Sequence, residues 1–399
     1  MTAFATLDDF DCAGKTVLVR ADLNAPVHDG AVSDCTRLAR IKPTVDSLAR
    51  RGAKIVLMSH FGRPKGKPSP SLSLRAILPS LIRSLERPVA FAEDCIGEPA
   101  QKMVEKLGPG EAGLLENLRF HPGEEANDPD FAAHLAALGD FYVDDAFSAA
   151  HRAHASTEAI AHLLPAAAGA LMQAELEALT DGLEMPERPV AAIVGGAKIS
   201  TKLTLLRNLV SKVDFLILGG GMANTFLHGR GVDVGKSLCE PDMAEEVRAV
   251  NQEASDRGCT IMLPEDALVA RALEPNAPYA TVSIRDVPAD AMMLDIGPKT
   301  VKAIEDCLDR CRTLVWNGPL GAFEVPPFDS GTVAVARFVA DRTRNNRLYS
   351  VAGGGDTLSA LAKANAERDL SYVSTAGGAF LEWLEGKNLP GVAALRRDG

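Results

Sequence analysis

No Cys-x-x-Cys pair occurs in this sequence. Its seven cysteines (Cys12, Cys35, Cys95, Cys239, Cys259, Cys307 and Cys311) are scattered and odd in number, which argues against a disulfide framework and for reduced, cytoplasmic thiols. Cys307 and Cys311 are four apart in a helical-looking segment, but no His or Cys pair completes a metal set. There is no long hydrophobic run. The most apolar window, residues 163–172, is too short and too broken by Pro and Gly to span a bilayer. The first residues, MTAFATLDDFD, are acidic and lack the apolar stretch of a signal peptide. Positive charge is also short: 42 Lys and Arg against 53 Asp and Glu leave a net charge of −11, so a general nucleic-acid surface is not expected. An anionic ligand must therefore meet a local basic cluster. The dinucleotide fingerprint GxGxxG is absent. Residues 231–237 resemble a phosphate-binding Walker A loop, but Arg230 stands where its first glycine belongs and no strand leads in.

What is present is a repeating alternation of strand-like and helix-like segments over 399 residues, a length that favours two domains. The predicted fold class is α/β: two doubly wound, parallel-sheet, Rossmann-like lobes. Residues 1–168 form the first, with the apolar tail 388–399 docking back onto it. Residues 169–189 form an interdomain helix and hinge, and 190–387 the second lobe.

In the first half, strands are read at 15–22, 54–58, 89–92, 113–115 and 141–145, with helices at 36–51 and 98–107. Ligands of open α/β sheets gather beyond the carboxyl ends of strands. Asp22 and Asn24 fall at such an end, although turn chemistry around residues 24–30 also explains them. His60 and Arg63 read as a cationic pair after the second strand. Arg37, Arg119 and Arg152 likewise fall at strand ends or helix starts. Arginine presents a bidentate fork to phosphate and carboxylate. At an effective dielectric of 20, one charge pair at ~4 Å is worth ~4 kcal/mol before desolvation. Several such contacts could hold a small, multiply charged anion. His151 and His154 offer ligand chemistry, but Arg152 between them would repel a metal cation.

The second half opens on VAAIVGGAKISTKLTLL, residues 190–206: an apolar strand, a Gly195-Gly196 break and a helix start. Outward amide groups at such a turn suit an anion. If the helix has begun by Lys198, Lys198 and Lys202 share one face and suggest a polyphosphate; two surface lysines on a solvated helix start remain the alternative. Gly219-Gly220-Gly221 and Gly353-Gly354-Gly355-Asp356-Thr357 follow further strands. Asp356 could hold a hard cation such as Mg²⁺ through oxygen, or cap its helix. Residues 374–379 form a further glycine turn.

Nine segments are similar, in order, to the signatures of the phosphoglycerate kinase family: VRADLNAPV, SHFGRP, ENLRF, DDAFSAAHRAHAS, GGAKISTK, LGGGMANTF, WNGPLGAFE, GGGDT and STAGGAFLEWLEGK. The resemblance covers nearly the whole chain. It implies a monomeric, cytoplasmic, two-lobed kinase with Mg²⁺ as cofactor, small-molecule substrates, and neither nucleic-acid nor membrane partners. That family moves a phosphoryl group between 1,3-bisphosphoglycerate and ADP, giving 3-phosphoglycerate and ATP. Carried over by motif, Asp22, Asn24, Arg37, His60, Arg63, Arg119 and Arg152 would bind substrate. Arg37, Lys198 and Lys202 would be catalytic. Nucleotide would meet Lys198, Lys202, Gly219, Gly220, Gly297, Asn317, Glu324, Gly354, Gly355, Asp356 and Thr357, with Asp356 on the metal. Ala376 departs from the family, which often has glycine there; a methyl group is tolerable if φ is negative. The residue set also leaves room for a two-lobed anion-binding protein without chemistry, and for a kinase acting on another carboxylate.

Overall fold

The computed structural model describes residues 4–28 and 31–396. Asp29 and Gly30 of the turn after His28 lie outside the described residues, as do residues 397–399 of the tail. The chain divides into two compact units, Met1–Leu176 with Asn388–Gly399, and Glu177–Lys387.

The first unit is organised on β1 (Thr16–Ala21), β2 (Lys54–Met58), β3 (Val89–Phe91), β4 (Ala112–Leu114), β5 (Phe141–Asp145) and β6 (Ala166–Ala168). They form one parallel sheet in the order β3-β4-β2-β1-β5-β6. Val17, Leu18 and Val19 are completely buried, as expected of a central strand covered on both faces. The order turns back on either side of β1. Its carboxyl end is therefore a switch point, where the crevice for a ligand opens. The helix expected over 36–51 is two helices, Thr36–Arg40 and Lys42–Arg50. Pro43 lies in the first turn of the second and brings no N–H to a continuous ladder, so the chain re-starts at Ile41. Near the other terminus, Gly391 N–H donates to the Ala150 carbonyl at 2.9 Å, and Phe4 bridges Arg396.

The second unit carries β7 (Val190–Val194), β8 (Phe215–Leu218), β9 (Thr260–Met262), β10 (Asp266–Ala270), β11 (Tyr279–Ser283), β12 (Met292–Ile296), β13 (Thr313–Asn317), β14 (Tyr349–Gly353) and β15 (Tyr372–Ser374). Its parallel sheet runs β9-β8-β7-β13-β14-β15, the Rossmann order with its switch point between β7 and β13. One expectation fails here. The strand–helix alternation expected throughout the second half does not hold at residues 292–296: β12 belongs to a separate antiparallel sheet, β11-β10-β12. The connections 271–278 and 284–291 are too short to hold a parallel crossover.

The helix Ala170–Leu179 continues into a π-helical turn, Thr180–Glu184, and the division between units falls within it. Its first turn is anchored in the first unit. Asp145 Oδ1 accepts from the N–H groups of Leu171 (2.8 Å) and Met172 (3.0 Å), and Thr44 Oγ1 accepts from Ala170 at 2.9 Å. All seven cysteines are free; Cys35 is exposed, Cys239 half-buried and the others buried. Among the described residues no helix is long and apolar enough to cross a membrane.

Candidate functional site

Two polar sites lie at the carboxyl ends of the two sheets. In the first unit, β1 carries Arg20, a side chain that reads in sequence as part of an apolar run. It is 1% exposed. Its Nε donates to Ser156 Oγ (2.9 Å), Nη1 to the Ala21 carbonyl (2.7 Å), and Nη2 meets His60 Nδ1 at 3.0 Å. That last contact fixes the imidazole. Nδ1 must accept, so a neutral ring carries its proton on Nε2. Burial holds His60 well below the usual histidine range, and Arg20, Arg119 and Arg152 push it in the same direction. His60 is therefore a neutral donor and not the cation that its pairing with Arg63 in sequence suggests; Arg63 is exposed.

Arg119 is 3% exposed, and Nη1 donates to the Gly62 carbonyl at 2.9 Å. Its Nε lies 3.3 Å from Glu125 Oε1 without hydrogen-bond geometry. Burial, with Arg152 and Arg20 nearby, pulls its proton affinity down. Glu124, completely buried, partly balances this cluster. It accepts from Ser156 Oγ at 2.6 Å and Ser156 N at 3.0 Å, and burial pushes its pKa up. Burial also lowers His154 to about 4, so neither imidazole adds a cation near neutral pH. Three guanidinium groups thus crowd a neutral imidazole, a setting that favours an incoming anion.

Beside this cluster Arg37 Nη1 pairs with Asp22 Oδ2 at 2.7 Å, and Ser148 Oγ donates to the same oxygen at 2.6 Å. Asn24 Oδ1 accepts from Gly62 N–H at 3.0 Å, tying the ends of β1 and β2 together. Arg37 is half-exposed.

In the second unit the groups are mostly backbone. Gly195 and Gly318 cross so closely that a Cβ on Gly195 would stand 1.7 Å from the Pro319 oxygen. The helix expected from Lys198 begins only at Leu203, with Lys202 as its cap residue, so the two lysines do not share a helical face. They differ in environment as well. Lys198 is exposed. Lys202 Nζ turns inward, donating to the Gly195 carbonyl (2.9 Å) and Asn317 Oδ1 (2.7 Å). Burial lowers its pKa to about 8, against the pull of Asp356. Asn317 Nδ2 donates to the Gly353 carbonyl at 2.9 Å. The Thr357 hydroxyl donates to Gly353 O (2.9 Å) and accepts from Gly318 N–H (2.7 Å). Asn317 and Thr357 thus fasten the turns at Gly195, Gly318 and Gly353 to one another.

Gly354 (φ +102°) precedes the helix Gly355–Ala364, and Asp356 stands in its first turn. Asp356 is exposed, and the cap position of this helix is held by Gly354. Ala376 is not among the residues with positive φ, which accommodates its methyl group. A cavity of about 350 Å³ runs along these turns. Gly220, Glu324 and Asp356 line it. Gly219 caps the helix Gly220–Gly229. Gly297 starts the helix Pro298–Leu308 against Asp266 and does not line the cavity. Sequence reading missed the apolar walls, among them Leu238, Leu273, Met292 and Phe323. Leu238 and Leu273 are large hydrophobics left exposed at its side.

Comparison with known proteins agrees across nearly the full length. The family description "Phosphoglycerate kinase" matches residues 7–387. A phosphoglycerate kinase of Methylorubrum populi is 62% identical over 397 residues, covering 99% of each chain. One from Allorhizobium ampelinum is 60% identical over 398 residues, covering 100% of each. Among solved structures, phosphoglycerate kinase from Coxiella burnetii superposes with a TM-score of 0.91 at 40% identity, over 98% of each chain. The Pyrococcus horikoshii enzyme gives 0.79 at 30%, again over 98% of each.

Proposed function

This chain belongs to the phosphoglycerate kinase family and is a phosphotransferase, and on that premise we propose that it moves a phosphoryl group reversibly between 1,3-bisphosphoglycerate and ADP, yielding 3-phosphoglycerate and ATP in glycolysis and gluconeogenesis. The observation that carries the reading is the division of chemistry: arginines at the strand ends of one sheet, glycine turns with Lys202 and Asp356 at those of the other. We assign residues 1–168 with the tail to the substrate lobe, 190–387 to the nucleotide lobe, and 169–189 to the hinge.

In this reading Asp22 and Asn24 orient the glycerate. Arg63, Arg119 and Arg152 receive its phosphate, and His60 adds an Nε2–H donor rather than a charge. Lys198, Lys202, Gly354, Gly355 and Thr357 belong to the nucleotide phosphates, and Lys198, Lys202 and Arg37 to the transferring group. Gly219 and Gly220, with Gly297 nearby, frame the base, while Asn317 and Glu324 serve the nucleoside. No general base is required, because the acceptor carboxylate of 3-phosphoglycerate is already ionised at neutral pH. The protein's task is alignment and charge neutralisation. Since the cations are divided between lobes, the chain closes about its hinge to bring donor and acceptor in line. Equal small-angle scattering radii with and without both substrates would contradict closure.

A magnesium ion fits the donor set. Asp356 supplies an exposed hard carboxylate oxygen in the first turn of a helix, a place suited to phosphate. Bound there, Mg²⁺ would neutralise phosphate charge. The chain is assigned to the cytoplasm, as a monomer with no nucleic-acid or membrane partner.

The test is turnover of 3-phosphoglycerate with ATP and Mg²⁺ in the presence of hydroxylamine. ADP and hydroxamate should appear together and only with 3-phosphoglycerate. Nucleotide binding without hydroxamate from any carboxylate would leave an anion-binding protein instead.

A further inference from the structure

A third polar cluster lies in the first unit, outside both sites. β3 and β4 are neighbours in the sheet, with Phe91 opposite Leu114. The turn after β3 carries Asp94 and Cys95. The chain after β4 passes through Arg119 to His121, which starts the helix Pro122–Glu125. Parallel pairing therefore brings Asp94, Cys95 and His121 to one place although the last two are 26 positions apart in sequence. One ligand atom from each lies within 4.8 Å of the others. His121 Nε2 and Asp94 Oδ1 already share a hydrogen bond of 2.7 Å. The ring also stacks on Phe131, with centroids 5.2 Å apart, which limits its rotation. Cys95 is 1% exposed and forms the floor of the cluster; Asp94 and His121 are partly open to solvent.

We propose that Asp94, Cys95 and His121 form a binding site for a zinc-class transition-metal ion. One sulfur, one imidazole nitrogen and one carboxylate oxygen suit a borderline-soft ion and disfavour Mg²⁺ or Ca²⁺, which take oxygen. Tetrahedral coordination needs ligand atoms roughly 3.3–3.8 Å apart, so the group closes by about an ångström around the ion. Binding replaces the Asp94–His121 hydrogen bond with two metal bonds and releases the Cys95 thiol proton to solvent. The fourth position faces the solvent side, between Asp94 and His121, and takes water. The site is independent of the nucleotide-phosphate reading of Asp356, which offers no sulfur.

The experiment uses the full chain, stripped with chelator and titrated with Co²⁺ in the absence of nucleotide. One equivalent should give a near-ultraviolet thiolate-to-cobalt band together with tetrahedral visible absorption. Excess Zn²⁺ should erase both, and excess Mg²⁺ neither. C95S should remove the thiolate band, and H121Q should weaken binding at least tenfold; C307S, a cysteine elsewhere in the chain, should change nothing. If C95S does not fold, H121Q decides, because that side chain is partly exposed. No thiolate band in the wild type, or an unchanged titration in H121Q, overturns the proposal.

Discussion

The two units present donors of opposite kinds. At the sheet of the first, the polar groups are side chains: Arg20, Arg119 and Arg152 around His60, Arg37 against Asp22. At the sheet of the second, they are glycine amides and carbonyls, with Lys202 held between a backbone oxygen and Asn317. The first arrangement desolvates several cations together and leaves their repulsion to be relieved by an anion. The second is built by removing side chains until loops touch, as at Gly195 and Gly318. Side-chain sites should lose affinity one residue at a time. The backbone site should be insensitive to most single changes and highly sensitive at the groups that fasten it.

The largest effect should separate the two units through Lys202 and Arg37. Lys202→Met should lower kcat by about 10²–10³-fold and also weaken ATP, because its tie to Asn317 goes with it. Arg37→Ala should lower kcat far more than it alters the affinity for 3-phosphoglycerate. Steady-state kinetics with separately measured dissociation constants would decide; an unchanged kcat in Arg37→Ala rejects a role at the transferring group.

Arg119→Met should act on one side only. We expect the KM for 3-phosphoglycerate to rise about tenfold, in line with the loss of a charge-assisted contact, while the KM for ATP stays within twofold. Comparable increases in both would erase the contrast between units.

The third effect depends on pH. Lys202 titrates at about 8; below that it is charged, above it neutral. ATP affinity of the free protein should be flat up to pH 8 and then fall by up to tenfold per unit. Lys202→Arg should abolish the bend. Calorimetric titration from pH 6.5 to 9.5 reads this directly, and a bend retained in the arginine variant assigns it elsewhere.

The smallest effect compares two buried carboxylates, both raised to about 7 by burial. Asp144 Oδ1 accepts from Ala146 N–H at 3.0 Å, but Oδ2 has no hydrogen-bond partner. Asp295 accepts from Gly331 and Ile296 N–H groups and from Ser330 Oγ, using both oxygens. Below about pH 7 the native protein keeps the Asp144 proton, while the unfolded chain releases it near 3.8. Stability therefore falls as pH rises through that window, and the full cost is present above 7. Asp144→Asn should raise Tm by a few degrees at pH 8 and by less at pH 5. Asp295→Asn should lower it, because an amide N–H₂ would face donors. Thermal scans at the two pH values check both signs.

Much of this was legible where burial and sequence speak the same language. β2 and β7 occur at the residues their apolar runs mark, because a strand covered on both faces needs a near-continuous run. β11 was not legible: Tyr279–Ser283 is largely exposed and has no such run. β6 is three alanines after a proline, with little to set it apart. At the sites, residues following strands were readable by position. Arg20 was not, since its partners Ser156 and His60 are 136 and 40 residues away. The neutral state of His60 depends on those same distant neighbours. The Asp94–Cys95–His121 cluster escaped for a similar reason: only the pairing of β3 with β4 makes it local.

The distribution of thiols has a practical side. Cys35 alone among the seven is exposed, and it precedes the helix that carries Arg37. A maleimide dye added to the unmodified protein would therefore settle two residues from Arg37. The molecule comes supplied with one exposed thiol as a handle for fluorescence work, and inhibition by thiol-directed reagents should be read first as crowding at that helix.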